Sequence, residues 1–464
     1  MIRLKRNGLV FLAALVLFLV LLVLQTGVYD RVSIPTLRGT GDKPKPTPVY
    51  KPIPDPPPPI VDNFPRAASA KSPDDLPQIP TWNKPPVPHV KEDTPLFIGF
   101  TRNWRLLQQV VVSYITAGWP PRDIYVVENT GVMHSNKDGR LGLQNPFYIG
   151  YNRLTKILGI NVLITPTLLT FAQLQNFYTF TAVEKGWTQY FWAHMDSPII
   201  SDEEWEIPSP KGKQYKSAYV RAVEVMRESM APGYGKEPGF GPLATRWFAY
   251  DRLALVRTQS FVDVGGWDTM IPFYMTDCDM HERLWMRNFT IEDGTAGRVW
   301  DVDSALDDLE VLYHRGERKI SAQKREDPPK AGTVPRNSPQ YQDLIHRLDE
   351  MGHAKSSREG GRNTWQAQQK GGQGEPFYRD SDGFEKGIQM TMDLGREVFE
   401  EKWGRGRCDL RDAGMKEDDA WRVVKDWETP AVQRQARKDH AREMKERAQK
   451  KEDDKARRET EKRE

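Results

Sequence analysis

Short apolar runs alternate with helical patterns through the middle of the chain. Four of these runs have the length and the flanking turn residues of buried strands. They lie at 96–100, 124–127, 160–165 and 189–193. Apolar residues recur at helical spacing between the first two runs, and a second helix is predicted at 171–185. Alternating strands and helices favour a parallel sheet that is covered by helices on both faces.

Polar side chains follow three of the four predicted strands. Thr101 follows the first strand, Glu128 and Asn129 follow the second, and His194 and Asp196 follow the fourth. Because ligands of parallel sheets bind at the carboxyl ends of the strands, we expect these side chains to share one site. The end of the fourth strand could hold a divalent metal beside the phosphates of a ligand, or its polar residues could simply end the strand.

A second chemical pattern is the run FVDVGGWD and the segment that follows it. Gly265 and Gly266 permit a tight turn or the close approach of a ligand to the backbone, and the flat face of Trp267 could stack on a sugar ring. Asp277 and Asp279 lie in the first turn of the next helical pattern, where the helix dipole favours carboxylates. Taken alone, this pair is more readily explained by capping than by catalysis.

The N-terminal segment has the pattern of a membrane anchor. Basic residues within 1–6 precede an uncharged run from Gly8 to Leu24, which spans roughly 25 Å as a helix. A cleaved signal peptide is the alternative, but LQTGVYD supplies no A-x-A-like cleavage site. We therefore predict a cytoplasmic tail at 1–6 and a transmembrane anchor at 7–28, with the rest of the chain across the membrane.

Composition shapes the remaining segments. Residues 29–93 are rich in proline, which predicts an extended stalk. Residues 432–464 alternate bases with acids and predict a charged helix or disorder. The net charge is only +3 and the bases are interleaved with acids, which argues against a nucleic-acid partner. Cys278 and Cys408 could pair or remain free thiols.

Together these runs resemble the family-2 type of glycosyltransferases with a GT-A fold, over about half of the chain. IYVVENTG resembles their second strand with its acidic and amide tip. FAQLQNFYTFTAVEKGWTQYFWAHMDS resembles the helix and strand that lead to their D-x-D metal motif. FVDVGGWD followed by FYMTDCDMHERL resembles their glycine-glycine-aromatic-acid turn and their E-D-x-D segment. The order and spacing of these pieces make the resemblance specific.

The resemblance implies an α/β protein with a GT-A nucleotide-diphospho-sugar transferase fold, that is, a Rossmann-like, mostly parallel sheet with helices on both faces. The catalytic domain would span 94–318, and a C-terminal extension with a loop and helices would span 319–431. The implied activity is an inverting hexosyl- or N-acetylhexosaminyl-transferase, which moves a sugar from a nucleotide-sugar donor to a hydroxyl of a glycan or glycoconjugate acceptor. With the anchor, this indicates a single-pass type II protein of the Golgi membrane with a lumenal catalytic domain.

The resemblance also implies roles for individual residues. Asp277 would be the catalytic base that takes the proton of the attacking hydroxyl. Mn²⁺ or Mg²⁺ would stabilise the leaving diphosphate. The candidate metal ligands are Asp196, His194 and His314. The candidate contacts to the nucleotide sugar are Thr101, Glu128 and Asn129. The candidate contacts to the acceptor are Gly266, Trp267 and Asp279.

Two positions depart from the family pattern. His194 stands where the D-x-D motif has its first acid, and Thr276 stands where the family has the glutamate of its E-D pair. A catalytically inactive, carbohydrate-binding or scaffolding protein of the secretory pathway therefore stays open as an alternative. A secreted metal-dependent hydrolase would rest on the His and Asp groups alone.

The run FEKGIQMTMDLGREVFEEKWG predicts one further helix, in the C-terminal extension. Its apolar positions Ile388, Met392, Leu394 and Phe399 are expected to be buried. The helix could be a lid over the acceptor side of the site, or it could pack on the back of the domain.

Overall fold

A computed structural model of the chain gives its architecture. The structure describes residues 47–50, 52, 58–210, 212–231, 234, 241–315, 335–359, 381–425 and 442. The chain divides into two compact units, Met1–Asp55 and Pro56–Glu464. In the first unit, residues 47–50 and 52 are exposed and have no regular secondary structure. The site lies in the second unit.

A seven-stranded sheet forms the centre of the second unit. The strands of the described residues, in chain order, are β1 (Leu96–Phe100), β2 (Ile124–Glu128), β3 (Asn161–Ile164), β4 (Gln189–Ala193), β5 (Ile199–Ile200), β6 (Glu206–Ser209), β7 (Gly212–Tyr215), β8 (Leu243–Phe248), β9 (Leu253–Arg257), β10 (Thr290–Gly294) and β11 (Arg298–Val299). Across the sheet the order is β10-β8-β9-β4-β1-β2-β3. Strand β9 runs antiparallel to both of its neighbours, and the other pairs are parallel. The remaining strands form two small antiparallel pairs, β5 with β11 and β6 with β7.

Helices cover both faces of this sheet. Those of the described residues are α1 (Pro65–Ser69), α2 (Trp104–Thr116), α3 (Phe171–Glu184), α4 (Ala218–Met230), α5 (Thr258–Asp263), α6 (Thr276–Met286), α7 (Pro339–Ser356) and α8 (Ser381–Trp403). Alternate residues of β1 face opposite sides, because Ile98 belongs to the core layer under α2 and Phe97 to the layer under α3. The predicted α/β class, with a mostly parallel sheet between helices, is confirmed.

Local sequence signals fix where the two site-forming helices begin. Asn103 caps α2, and its side-chain oxygen accepts a hydrogen bond from Leu106 N at 3.2 Å. Thr170 and Gln173 form a reciprocal capping box at the start of α3. These caps place the first turns of both helices at the carboxyl edge of the sheet.

Part of the proline-rich segment lies against the domain. Phe64 is fully buried and its ring lies 6.0 Å from that of Tyr313. The amide of Asn63 donates to the carbonyl oxygens of Arg105 and Leu306. At Asn63 and Phe64, the region predicted as a stalk is therefore packed against the domain, because these two side chains find partners there.

The C-terminal extension is joined covalently to the centre of the domain. Cys278 in α6 and Cys408 form a disulfide with Cα atoms 5.4 Å apart. The two cysteines are therefore paired and are not free thiols. Phe399 and Trp403 of α8 are fully buried beside them, whereas Leu394 is half exposed. Residues 319–334, 360–380 and 426–431 of the predicted C-terminal extension lie outside the described residues, as does the predicted tail at 432–464 apart from residue 442.

The predicted localisation in a Golgi membrane requires a correction. Within the described ranges, no helix combines the length and the apolar character that a membrane crossing requires. The segment predicted as an anchor, 7–28, and the tail before it lie outside the described residues.

Candidate functional site

A cavity of about 320 Å³ opens at the carboxyl ends of β1, β2 and β4. This volume is within the range of small-ligand sites. Five of the candidate catalytic, metal-binding and nucleotide-sugar-binding residues line it, and they are Thr101, Asn129, His194, Asp196 and Asp277. The structure thus brings together residues from three strand ends and one helix.

The strand register explains why these residues meet. Phe100 pairs with Glu128 across β1 and β2, and Ile98 pairs with Ala193 across β1 and β4. The residues that follow these parallel strands must therefore emerge along one edge. Asn129 also shapes the cavity, because its side chain bonds both the N–H and the carbonyl of Leu169, at 2.7 and 2.9 Å.

Much of the remaining wall is aromatic or aliphatic. The rings and apolar chains that line it include Phe171, Tyr178, Trp192, Phe273, Ile388 and Met392. The last two come from α8, so this helix forms a wall of the cavity. Flat apolar walls with a few polar groups are the usual composition of small-molecule sites.

Glu128 is not among the residues that line the cavity. Its side chain is buried, and Oε1 accepts a hydrogen bond of 2.7 Å from the Asn136 amide. Burial raises the pKa of the Glu128 carboxyl above its ordinary value. Asn136 in turn holds Phe147 O and Ile149 N, so Glu128 is tied into the loop that follows β2.

Asp196 is paired with a buried lysine. Lys355, near the end of α7, places Nζ 2.6 Å from Asp196 Oδ2 and 2.6 Å from Asp301 Oδ1. The lysine side chain is 1% exposed, whereas both carboxylates reach the cavity. One internal ammonium therefore serves two carboxylates at the end of β4.

His194 contacts a different carboxylate. Its Nε2 lies 3.4 Å from Asp251 Oδ2, and its ring lies 6.0 Å from Phe171 and 5.1 Å from Trp192. Burial alone would lower the pKa of His194, but the hydrogen bond and the charge of Asp251 outweigh it and raise this pKa above its ordinary value. His194 is therefore directed at Asp251.

The residues present do not fit the divalent ion that the resemblance implies. Across the described ranges, no three His, Cys, Asp or Glu side chains are grouped so that they could hold a metal. Of the predicted ligands, Asp196 pairs with Lys355 and His194 with Asp251. A lysine ammonium stands beside the carboxylate that was expected to bind the ion.

His314 lies away from the cavity. It is 3% exposed, with Nε2 3.3 Å from Glu203 Oε1 and its ring 5.7 Å from that of Trp82. Burial lowers the pKa of His314 to about 4. The structure does not bring His314 together with Asp196.

Asp277 opens into the cavity from the first turn of α6. Met275, which lies two residues before Asp277 at the N-cap of α6, has φ of 72° and turns the chain into the helix. The hydroxyl of Tyr250 donates to Asp277 Oδ2 at 3.3 Å. Asp277 is partly exposed to solvent, so a ligand hydroxyl can reach it.

The three residues predicted to touch the acceptor do not line the cavity. Trp267 is 4% exposed, and Asn176 bonds its backbone N–H and carbonyl, at 2.8 Å each. Gly266 has φ of 74°, and a Cβ there would lie 2.7 Å from Asn176 Oδ1. Asp279 is fully buried and accepts hydrogen bonds from Lys402, Trp403 and Arg283 at 2.7 to 2.9 Å.

Sequence reasoning missed several residues of the cavity. The missed polar residues are Arg102, Gln175, Tyr250, Asp251 and Asp301. Tyr250 and Asp251 lie in the turn between β8 and β9, which no pattern had identified as a hairpin. A signal was available for Arg102, because it directly follows Thr101 at the end of β1.

The cavity carries an excess of negative charge. Four carboxylates line it, and they are Asp196, Asp251, Asp277 and Asp301. The cations beside them are Arg102 and His194 in the wall, and Lys355, which is bonded to two of the four. Arg102 is itself paired with Glu385 at 2.7 Å. Neutral or cationic groups are therefore favoured in this cavity over an isolated anion.

Comparison with known proteins gives distant structural likenesses. No known protein family matches the chain, and no curated protein matches it in sequence. A cytidylyltransferase from Leptospira borgpetersenii serovar Hardjo-bovis is 9% identical with a TM-score of 0.28, over 44% of this chain and 76% of that one. A mannosyltransferase from Pyrobaculum calidifontis, in complex with GDP-Man and Mn²⁺, is 10% identical with a TM-score of 0.27, over 46% and 58%.

A third likeness is to the catalytic domain of Drosophila beta1,4-galactosyltransferase 7 in complex with xylobiose. It is 13% identical with a TM-score of 0.25, over 51% of this chain and 77% of that one. TM-scores this low do not establish a shared fold. The function of this chain has to be inferred from its own site.

Proposed function

We propose that this chain is a glycosyltransferase, which moves a sugar from a nucleotide-sugar donor to a hydroxyl group of a glycan or glycoconjugate. The observation that carries the proposal is Asp277, a carboxylate that faces a cavity with aromatic walls at the carboxyl ends of parallel strands. That edge of such a sheet is where nucleotide ligands bind. The resemblance of the motif order to family-2 glycosyltransferases points to the same activity.

The chemistry of transfer uses groups that the cavity offers. The attacking hydroxyl must lose its proton as its oxygen bonds to the anomeric carbon, and Asp277 accepts that proton. Tyr250, whose hydroxyl lies 3.3 Å from Asp277 Oδ2, orients the carboxylate. The diphosphate leaves from the opposite face of the sugar, so that the anomeric configuration inverts. The aromatic walls exclude water, which limits hydrolysis of the donor.

The transferred group fits a hexose or an N-acetylhexosamine, as the resemblance implies. Trp192 and Phe171 supply apolar faces of the size of a sugar ring in the cavity wall. A divalent cation would supply charge stabilisation of the leaving diphosphate, but the pairing of Asp196 with Lys355 does not fit it. We derive no step of the reaction through such an ion.

A second candidate function is favoured by the negative charge of the cavity. The four carboxylates outnumber the cations beside them, which are Arg102, Lys355 and His194, and the remaining negative charge opposes the entry of a diphosphate. A neutral glycan meets no such opposition. A carbohydrate-binding protein without transferase activity is therefore the alternative.

The two candidates are separated by a donor screen. The purified chain is incubated with UDP-, GDP- and CMP-sugars and with acceptor glycans, with and without EDTA, and the release of nucleotide is measured by chromatography. We expect release from one donor that depends on an acceptor. If no donor is consumed, and a neutral glycan alone raises the melting temperature, the carbohydrate-binding function replaces the transferase.

A further inference from the structure

Tyr250 is the most exposed of the aromatic residues that line the cavity. It is 46% exposed, whereas Trp192 and Tyr178 in the same wall are buried. Its hydroxyl lies 3.3 Å from Asp277 Oδ2, so the exposed side chain stands directly beside the carboxylate proposed as the base. A ligand that reaches Asp277 therefore also meets the accessible surface of Tyr250.

The protein holds the Tyr250 side chain in place. Its ring centroid lies 4.9 Å from that of Trp247, with an angle of 62° between the two planes. Trp247 belongs to β8 and pairs with Ala254 of β9, so this support is part of the central sheet. A ring that is already fixed loses little conformational freedom when a ligand binds to it.

The backbone of Tyr250 is in a strained conformation. Tyr250 has φ of 59°, and Ala249 before it has φ of 62°. Bulky residues rarely adopt this left-handed region, whereas glycine adopts it without a steric cost. Strain of this kind persists mainly at active sites and ligand sites. The presence of a large aromatic residue where glycine would fit more easily indicates that the side chain itself is needed.

The position of the base limits where the acceptor can lie. A hydroxyl oxygen that bonds Asp277 Oδ2 lies about 3 Å from it, and the Tyr250 hydroxyl lies 3.3 Å from the same oxygen. The two hydroxyl oxygens are therefore at most about 6 Å apart. The sugar ring that carries the attacking hydroxyl is thus within reach of the tyrosine ring.

The chemistry of the two side chains selects the class of acceptor. A pyranose presents an apolar face of C–H groups, which packs on a flat aromatic ring, and hydroxyl groups at its edge, which bond a carboxylate. The four carboxylates of the cavity outnumber the cations beside them. An uncharged sugar is therefore favoured over a uronic acid or a phosphorylated sugar.

We propose that Tyr250 is the binding platform of the acceptor, and that its ring packs against the C–H face of an uncharged pyranose unit whose hydroxyl bonds Asp277. The inference rests on the proposed function for the role of this sugar. It adds the residue that binds the acceptor and the chemical class to which the acceptor belongs.

The test is saturation-transfer NMR on the full chain without any nucleotide. The probes are the methyl β-glycosides of glucose, galactose, xylose and N-acetylglucosamine. When the aromatic protons of the protein are irradiated, saturation should pass mainly to the C–H protons on one face of the bound glycoside. The parent chain alone provides this result, so it does not depend on the folding of a variant.

Two substitutions separate the ring of Tyr250 from its hydroxyl. Tyr250→Leu removes the flat ring, and we expect it to bind the glycoside roughly 3- to 10-fold more weakly and to transfer less saturation to that face. Tyr250→Phe keeps the ring and loses the hydroxyl, so its affinity should stay within about twofold of the parent affinity. Melting curves check that both variants are folded.

Phe180→Leu is the matched control. Phe180 is an exposed aromatic residue of α3 that is not among the residues lining the cavity. The substitution removes an exposed ring in the same way as Tyr250→Leu does. It should leave both the glycoside affinity and the pattern of saturation transfer unchanged.

Four results would overturn the platform. They are the binding of none of the glycosides to the parent chain, an even spread of saturation over both faces of a bound glycoside, an unchanged affinity in Tyr250→Leu, and a loss of affinity in Tyr250→Phe as large as that in Tyr250→Leu. Failure of glycosyl transfer is a separate result, because the donor screen measures nucleotide release and these titrations contain no donor.

Discussion

The ammonium nitrogen of Lys355 lies 2.6 Å from Oδ2 of Asp196, at the end of the fourth strand of the sheet. The same nitrogen lies 2.6 Å from Asp301 Oδ1. The side chain of Lys355 thus supplies a permanent positive charge where the sequence pattern predicted a bound divalent metal ion. The lysine supplies the counter-charge of both carboxylates without an ion from solution.

Replacement of the lysine should convert this pair of carboxylates into a weak cation site. Lys355→Met leaves Asp196 and Asp301 facing each other without a counter-charge, which should lower the free energy of unfolding by about 3–5 kcal/mol in EDTA. Mn²⁺ prefers carboxylate oxygens and should restore part of that loss. Melting curves with EDTA and with MnCl₂ measure both effects.

The control for this experiment is Lys216→Met, because the Lys216–Glu224 pair is partly exposed and neither residue lines the cavity. MnCl₂ should raise the melting temperature of Lys355→Met but not that of the parent or of the control. A parent chain that Mn²⁺ stabilises as strongly as Lys355→Met would show that the lysine does not exclude the ion.

Asp277→Asn tests the proposed base. Asparagine keeps the size and the helix-capping ability of the side chain but accepts no proton, so turnover of the donor found in the screen should fall by a factor on the order of 10² to 10⁴. The binding of the donor and the melting temperature should hardly change, because the role is confined to the transition state. Asp263→Asn, on exposed surface of α5, is the matched control. Turnover of Asp277→Asn near the parent rate would remove Asp277 from this role.

Asp279→Asn separates a structural role from the predicted contact to the acceptor. Asp279 is fully buried and accepts from Lys402, Trp403 and Arg283, so we expect the change to lower the free energy of unfolding by about 3 kcal/mol or more. Asp393→Asn, on the exposed face of α8, should change it by less than about 0.5 kcal/mol. Chemical denaturation measures both. A variant of normal stability with a raised KM for the acceptor would favour the acceptor contact instead.

His281 should make the protein sensitive to acid. Burial lowers the pKa of His281 to about 4, although the charges of Asp277 and Asp251 oppose the shift. The unfolded chain then binds the proton more readily than the folded chain between the ordinary value of 6.5 and about 4. As the pH falls through this window, stability should drop by up to about 1.4 kcal/mol per pH unit from this group.

The variant His281→Phe removes this titration and keeps an aromatic ring among Trp247, Trp267 and Trp285. Its free energy of unfolding should fall less steeply than that of the parent over the same pH range. Urea titrations at several pH values compare the two slopes. Equal slopes would show that His281 does not contribute to the acid sensitivity.

The sequence predicted the first half of the sheet well. The apolar runs at 96–100 and 189–193 coincide with β1 and β4, and the helix predicted at 171–185 is α3. Strand, cap and turn signals are local there and agree with each other. The second half was not predicted, because β8 and β9 form an antiparallel hairpin whose turn lacks the usual glycine signal. Ala249 and Tyr250 adopt positive φ in this turn instead.

The site was predictable where it depends on strand ends. Thr101, Asn129 and Asp196 follow parallel strands, so the alternation of elements was enough to bring them together. The pairing of Lys355 with Asp196 joins positions 159 residues apart, and a contact at that separation cannot be predicted from residue spacing along the chain. The same limit applies to His314, which lies beside Glu203 in the fold and not beside the cavity.

Helix α8 supplies Ile388 and Met392 to the cavity, and Lys402 near its end binds Asp268 and Asp279. During synthesis, every strand of the central sheet leaves the ribosome before this helix does. A nascent chain that has not yet reached residue 381 therefore lacks the part of the cavity wall that Ile388 and Met392 form. A stop codon between the end of β10 and residue 381 would yield a product with all seven strand sequences and an unfinished binding site.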